Sequence, residues 1–422
     1  MYSISKFNSQ LLSLIILMLP LGAIQNLSLS SSAFSISFFL VLLLCLLLYG
    51  TKVLFPLFLL IVLTATAYLL NADAFSIFPI ARSLANIFYL LPITLVLFYP
   101  RRKVYISESR LKFLMLYLLF FTLFISLCCI YVALFYYPSR PLFPFDEPTR
   151  LGLFLISFGI SYLIGTWPQR NSFKLRHLRG TFISAFIIAS AILTLTSHFV
   201  SLLIAFLLFL VFILSPLYTG KKNNYKLLFI LVLILSFLVA SYPFLYSYLG
   251  ESSKFSFLFD KATSNLSSLS WLSGYSQAFN SVLVSPFFGF GSGSFGYLNS
   301  SFSNDASDAL LKLNGYVLNK YDGYSLFFKL VFEQGILQSI LFVGLLLIRY
   351  LSSITNLLLF IHFHSNSFFS PHYRHLLQLY VFGLIILVAS LVKEPTLTIF
   401  PGYFLATPLI ISVVNPPSRS LT

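Results

Sequence analysis

The chain of 422 residues is 58% hydrophobic and only 9% charged, whereas soluble domains carry about 25% charged residues. So few charges cannot cover a surface that faces water on all sides, which excludes a soluble globular protein and a disordered one. The net charge of +15 is therefore attributed to Lys and Arg residues in cytoplasmic loops of a membrane protein, where such residues collect. No nucleic acid is expected as a partner.

Long apolar segments recur along the chain and predict about twelve membrane-spanning helices, because about 20 apolar residues in a helix cross the hydrocarbon core of a bilayer. The predicted fold class is an all-α polytopic membrane protein that has the lipid bilayer as its surroundings. The predicted spans are 7–27, 33–49, 53–70, 80–98, 113–136, 151–167, 180–196, 199–214, 227–246, 325–350, 376–392 and 399–414.

The positive charges predict the orientation of these helices. If the N-terminus lies inside and the spans alternate, most Lys and Arg residues fall in short inside loops such as 101–112 and 170–179, as is typical of cytoplasmic loops. Of the acidic residues, only Glu108 then falls inside. We therefore expect an N-in/C-in topology, with any chemistry that needs carboxylates on the outer face.

One long extracytoplasmic loop, 247–324, is predicted to separate a nine-helix membrane region, 1–246, from a three-helix membrane region, 325–422, within one integral domain. The loop is rich in Ser, Gly and Asn but keeps aromatic residues such as Trp271 and Phe295, which a disordered linker would lack. We therefore expect a partly folded lid over the membrane domain. The inside loops are too short to contain a cytoplasmic catalytic domain.

The segment Gly291-Ser-Gly293-Ser-Phe-Gly296 matches a dinucleotide-binding pattern, but that function requires a βαβ unit, which an outer loop would not form. Two alternatives stay open: a tight turn that uses positive φ angles, or a turn whose amides bind a phosphate. The three Cys residues lie in apolar runs without metal-ligand spacing, so neither a disulfide framework nor a zinc site is supported.

Asp322, Ser325, Lys329 and Glu333 have the spacing of one helix face at the start of the predicted tenth span. Such a polar stripe faces either a cavity inside the helix bundle or the membrane interface, where Lys329 and Glu333 would form a solvated ion pair. On the first alternative the stripe has a functional role, and on the second it only solubilises the end of the helix.

Three arginines on the outer side are candidate anion-binding residues. Arg82 lies near the outer end of the fourth span, on the same helix face as Asn86 and Tyr89. Arg140 and Arg150 flank a proline-rich outer loop. The alternatives are an Arg82 side chain that extends to the interface, and salt bridges between the other two arginines and acidic residues of their loop.

Two motifs occur in the second half of the chain. The first is Ser285-Pro286-Phe-Phe-Gly289-Phe-Gly291-Ser-Gly-Ser-Phe295, and the second runs from Asp322-Gly-Tyr324-Ser325 to Glu333-Gln-Gly335. Together with the many spans and the one long outer loop late in the chain, these motifs resemble the O-antigen polymerase and ligase superfamily. Ligases of this superfamily carry a His-Asn-type pair ahead of the glycine. That His is absent here, so the chain is more similar to the polymerases.

The resemblance implies an enzyme of the bacterial cytoplasmic membrane that joins polyprenyl-pyrophosphate-linked oligosaccharide repeat units into O-antigen or capsule, without a metal or cofactor. A hydroxyl of one unit would attack the anomeric carbon of the other chain, and a lipid pyrophosphate would leave. A chain-length regulator and a flippase are expected partners. Two alternatives stay open: the protein is itself a lipid-linked oligosaccharide flippase, or it is an O-antigen ligase. The residues expected to bind substrate are Arg82, Arg140, Arg150, Lys329, Gly291 and Gly293, and Asp322 or Glu333 would act as base.

Overall fold

The computed structural model describes residues 43, 46, 49–75, 80–99, 108–135, 148–166, 176–192, 266–297, 305–315, 325–363 and 370–392. Over these ranges the fold is all-helical, which agrees with the predicted class. The α-helices are α1 (Leu54–Leu70), α2 (Ile80–Phe98), α3 (Glu108–Phe135), α4 (Pro148–Thr166), α5 (Arg176–Ile192), α6 (Leu266–Val284), α7 (Asp305–Asn314), α8 (Leu326–Gln334), α9 (Ile336–Phe363) and α10 (Ser370–Val392).

Four segments in the described part of the chain are helical, long and apolar enough to cross a membrane: Gly50–Leu70, Leu111–Val132, Ile336–Leu358 and Tyr373–Leu391. Three of them coincide with the predicted spans 53–70, 113–136 and 376–392 to within a few residues, whereas Ile336–Leu358 overlaps only the second part of the predicted span 325–350. The predicted spans 7–27, 199–214, 227–246 and 399–414 lie outside the described residues, and so does most of 33–49. The count of twelve spans and the N-in/C-in orientation therefore stay predictions.

The predicted tenth span, 325–350, is wrong as a single helix. The chain forms α8 and then α9, and Gly335 lies between them with a φ angle of +80°. Ser325 is the N-cap of α8, because its hydroxyl accepts from the Phe328 amide at 3.4 Å. The same hydroxyl donates to the Leu391 carbonyl at 2.6 Å, so it fixes the start of α8 to the end of α10.

The prediction that the segment 247–324 is partly folded is confirmed for 266–297 and 305–315. Helix α7 packs on α6, and α6 packs against α8. At the second contact, the rings of Trp271 and Tyr275 lie at centroid distances of 4.9 and 5.6 Å from the ring of Phe328. These edge-to-face contacts hold α6 on α8.

Helix α10 is the most buried of the candidate spans and packs against α3, α4, α8 and α9. Phe382 contacts the rings of Phe154 and Phe158 at centroid distances of 5.8 and 6.2 Å. On α1 and α3, by contrast, large apolar side chains such as Phe58 and Phe120 are exposed. This distribution is expected when lipid, which is as apolar as these side chains, covers the outer surface.

Close contact between α9 and α10 depends on a glycine. A Cβ atom at Gly383 would lie 2.6 Å from the Tyr350 hydroxyl, and Tyr350 is fully buried. We expect Gly383→Ala to lower the midpoint of thermal unfolding in detergent, because overpacking costs about 1–3 kcal/mol and exceeds the gain in helix propensity of about 1 kcal/mol.

Gly344→Ala is the matched control for this substitution, because it lies within α9 and a Cβ there meets nothing within 4 Å. It should leave the midpoint unchanged or raise it slightly. Equal midpoints for the two variants would show that the α9–α10 contact does not depend on Gly383.

Candidate functional site

The glycine segment, residues 285–297, lies against the break between α8 and α9 and is bonded to both sides of it. The Gly291 amide donates to the Glu333 carbonyl at 2.8 Å, before the break. The Ile336 amide, after the break, donates to the Pro286 carbonyl at 2.9 Å. These two backbone hydrogen bonds satisfy polar groups that the interrupted helix leaves without a helical partner.

The tight turns predicted from the glycine pattern are confirmed, since Gly289, Gly291, Gly293 and Gly296 all have φ angles between +61° and +93°. Two of these glycines also allow the glycine segment to lie in direct contact with the backbone of neighbouring helices. A Cβ at Gly289 would lie 2.5 Å from the Gly335 nitrogen, and one at Gly293 would lie 2.6 Å from the Ser83 nitrogen. The glycine segment therefore joins the helix break to the start of α2.

Contact of Gly291 and Gly293 with a substrate anion stays a prediction. The Gly291 amide already donates within the protein, to the Glu333 carbonyl. Gly293 is buried against the backbone of Arg82 and Ser83. The geometry gives both glycines a scaffold role, in which they position the groups around them.

Polar side chains fix the glycine segment to the end of α1. The Tyr68 hydroxyl donates to the Ser292 carbonyl at 2.7 Å and forms a second hydrogen bond with the Ser83 hydroxyl at 2.5 Å. The Asn71 side-chain amide donates to the Gly289 carbonyl at 3.0 Å. Since Ser83 belongs to α2, these contacts bind the ends of α1 and α2 to one piece of chain.

The glycine segment is also joined to α8 by side chains. The Gln334 amide donates to the Ser292 hydroxyl at 2.5 Å. Beside it, the Phe332 ring packs against Phe290 and Phe295, with centroid distances of 5.2 and 4.7 Å. All three rings are almost fully buried, so the glycine segment packs tightly against α8 next to Glu333.

Glu333 is the carboxylate at the centre of this arrangement, and it is only 3% exposed. The side-chain amide of Asn86, in α2, donates to Glu333 Oε2 at 3.4 Å. Lys329, one turn earlier in α8, is 8% exposed. Because protein covers both side chains, Lys329 and Glu333 do not form a solvent-exposed face of the helix end. Burial of charged groups is costly and is typically associated with function in membrane segments.

Arg82 lies at the edge of the same site and is partly exposed. Its guanidinium carbon is 5.9 Å from the centroid of the Tyr297 ring, which is within the range of a cation–π contact. One helical turn later in α2, Asn86 reaches Glu333. Arg82 therefore lies one turn of α2 from Asn86, the residue that contacts the carboxylate.

The structure thus brings together Arg82, Gly291, Gly293 and Glu333 from the predicted set, with Lys329 one turn away. The predicted topology places the end of α1, the start of α2 and all of α8 on one side of the membrane, and these are the parts that meet. The other predicted residues are not tested: Asp322 and Arg140 lie outside the described residues, and Arg150 is placed only by its backbone, in the first turn of α4.

Four polar residues of the site were missed by sequence reasoning: Tyr68, Asn71, Ser83 and Gln334. Two weak signals were available. Tyr68 and Asn71 are polar groups at the end of an otherwise apolar span, and Gln334 stands between a charged residue and a glycine. Polar residues at span ends are common at the membrane interface, so neither signal separates a site from an interface.

No family model matches this chain, and no curated protein or solved structure shows significant similarity to it. The class of the protein therefore follows from its own structure: the described residues are all-helical and include four helices able to cross a membrane. Among these residues there is no group of three or more His, Cys, Asp or Glu side chains that could hold a metal ion.

Proposed function

We propose that this protein is a membrane polymerase that joins polyprenyl-pyrophosphate-linked oligosaccharide repeat units on the outer face of the bacterial cytoplasmic membrane. The observation that carries the proposal is the buried contact between Glu333 and Asn86, with Arg82 one turn away. A carboxylate and a guanidinium at one site supply the two functions that the reaction needs. These are a proton acceptor and a stabiliser of phosphate charge.

In the proposed reaction, a hydroxyl oxygen of the acceptor unit attacks the anomeric carbon of the donor chain. The bond from this carbon to the pyrophosphate oxygen breaks, and the lipid pyrophosphate leaves with the electron pair. Glu333 accepts the proton of the attacking hydroxyl, and Asn86 holds the carboxylate in position. Arg82 binds the pyrophosphate oxygens, because its planar guanidinium can donate two parallel hydrogen bonds.

Burial increases the effect of the Glu333 charge, since electrostatic interactions are stronger in a medium of low dielectric constant than in water. Lys329 adds a second positive charge one turn from Glu333 and is assigned to the same anion. Asp322, Arg140 and Arg150 are assigned supporting roles in substrate binding or proton transfer, on the resemblance alone. The proposal requires neither a metal nor a cofactor.

A lipid-linked oligosaccharide flippase is the second candidate, and one observation favours it. The helix break at Gly335, with Lys329 and Glu333 buried before it, has the form of the discontinuous helices that line substrate sites in transporters. A flippase would use the same charges to bind the pyrophosphate headgroup without any change of covalent bonds.

Glycan analysis of a deletion strain separates these candidates. Loss of a polymerase should leave single repeat units on the lipid core, whereas loss of a flippase or a ligase should leave none. The second arm uses the purified protein in liposomes with lipid-linked repeat units as the only substrate. Growth of chains there supports a polymerase, and unchanged units from a folded protein would contradict it.

Arg82→Ala should shift the product from long chains to single repeat units and lower the polymerisation rate about 10- to 100-fold. This is the effect of losing charge-assisted hydrogen bonds worth about 1.5–3 kcal/mol. Arg82→Lys should restore only part of the rate, because a lysine lacks the planar fork. The measurement is chain length on gels, normalised to protein abundance.

Lys312→Ala is the control for Arg82, because it removes an exposed positive charge in α7. It should leave the chain length at that of the wild type. A wild-type distribution in Arg82→Ala as well would remove Arg82 from the mechanism.

A further inference from the structure

The end of α6 and the turn after it present an exposed apolar surface in a segment that the sequence places in water. The side chains of Phe279, Leu283, Val284 and Phe287 are 54–72% exposed. No charged residue occurs anywhere between Lys261 and Asp305. An outer loop in water would be expected to carry charges on such a surface, because large exposed apolar patches are rare on soluble domains.

This surface is continuous with the start of α9, which contains the candidate span Ile336–Leu358. The Ile336 amide donates to the Pro286 carbonyl at 2.9 Å, and the Gln338 side-chain amide donates to the Phe287 carbonyl at 3.0 Å. The turn therefore lies beside the first turn of α9. Large apolar side chains are exposed on that part of α9 too: Leu337, Ile340 and Leu341.

The backbone of the turn is suited to an apolar medium, because much of its polar surface is bonded within the protein. The Ser285 amide donates to the Ser281 carbonyl at 2.8 Å, and the Gly289 amide donates to the Ser285 carbonyl at 3.1 Å. The Ser285 hydroxyl also donates to the Gly289 carbonyl at 2.9 Å. Irregular backbone at membrane depth is tolerated where protein satisfies its polar groups in this way.

We propose that the C-terminal end of α6 and the turn 285–288 are immersed in the hydrocarbon of the outer leaflet, where lipid chains cover Leu283 and Phe287. Lipid is the occupant because the surface is uncharged, continues onto a helix long enough to span the bilayer, and has a bonded backbone. The glycine segment then belongs to the membrane domain, and Glu333 lies at membrane level. The inference does not depend on polymerase chemistry.

The test places a nitroxide spin label at Leu283→Cys and, separately, at Phe287→Cys. The background has Cys45, Cys128 and Cys129 replaced by alanine, and the protein is reconstituted in phosphatidylethanolamine–phosphatidylglycerol vesicles. Collision rates with oxygen, which concentrates in lipid, and with a water-soluble nickel chelate are then measured. Both substituted side chains are exposed, so folding should be retained, and protein abundance checks this.

Two labelled positions serve as references. Asp308→Cys is an exposed charged position in α7 and represents water, whereas Leu345→Cys is an exposed apolar position in α9 and represents lipid. Labels at 283 and 287 should resemble the label at 345, with frequent oxygen collisions and few nickel collisions. Behaviour like that of 308 would place the turn in water and overturn the proposal. Low collision rates with both reagents would mean that protein covers the surface, which would also overturn it.

This readout contains no measurement of glycan synthesis. If the deletion strain contradicts the polymerase proposal, the collision rates still test whether the turn is immersed in lipid. If the collision rates contradict immersion, the deletion strain still tests the polymerase proposal.

Discussion

Glu333→Gln should reduce polymerisation by about 10²–10⁴-fold, which is the usual cost of losing a general base. Glutamine keeps the size of the side chain, and its carbonyl oxygen can still accept from the Asn86 amide at the position of Oε2. Protein abundance should therefore stay close to that of the wild type. The measurement is the initial rate of chain growth from lipid-linked repeat units in liposomes.

A structural explanation of the same loss has to be separated from the catalytic one. Lys329 is buried one turn before Glu333, so removal of the carboxylate also removes a negative charge close to a buried positive one. The double variant Lys329→Met, Glu333→Gln removes both charges. Recovery of polymerisation in the double variant would show that the carboxylate balanced Lys329, whereas a folded and inactive double variant supports Glu333 as the base.

Asp322→Asn is the companion variant for the other predicted carboxylate, which lies outside the described residues. It should lower the rate only if Asp322 shares the role of base with Glu333. Wild-type rates in both Asp322→Asn and Glu333→Gln would remove the polar stripe from the mechanism and leave the arginines as the proposed site.

The helices that sequence predicts best are those set by local composition alone. The predicted span 80–98 has the bounds of α2, because local sequence signals limit this mainly apolar segment: Pro79 precedes it and Pro100-Arg101-Arg102 follows it. The break at Gly335 could not be predicted in the same way. A single glycine within an apolar run is tolerated in a helix, and the positive φ angle here depends on packing against residues about 50 positions earlier.

In the candidate site, too, the features within one helix could be predicted from the sequence, whereas the contacts between distant segments could not. Helical spacing places Arg82 and Asn86 on one face of α2, and Lys329 and Glu333 on one face of α8. Spacing alone does not show that this face of α2 packs against this face of α8. The contact between Asn86 and Glu333 joins residues 247 positions apart, so it becomes visible only once the glycine segment has been placed between the helices.

The burial of Lys329 and Glu333 is the second property that helical spacing could not predict. A polar stripe at a helix start is compatible with both a solvated interface and a closed cavity, and the choice depends on what covers the stripe. Here α2 contacts Glu333 through Asn86, and the aromatic residues of the glycine segment pack against the neighbouring Phe332, which no periodicity within α8 could indicate. The same contacts explain why Tyr68 and Gln334 belong to the site although neither has a charge.

Gly289→Ala should destabilise the protein more than any other single methyl addition at the site, and it should abolish chain growth. The added Cβ would lie 2.5 Å from the Gly335 nitrogen and 2.6 Å from the Phe332 carbonyl oxygen. Both are backbone atoms at the helix break, so no side-chain rotation can relieve the contact. The break itself would have to move, and Glu333 would move with it.

Gly315→Ala is the matched control, because Gly315 also has a positive φ angle, +74°, but a Cβ there meets nothing within 4 Å. It should cost only the strain of a left-handed conformation, about 1–2 kcal/mol, and leave polymerisation intact. The difference between the unfolding midpoints of the two variants then measures the contact between the glycine segment and the break. Equal midpoints, with chain growth retained in both, would mean that Glu333 is positioned without the glycine segment, because its closest backbone contact could be lost without effect.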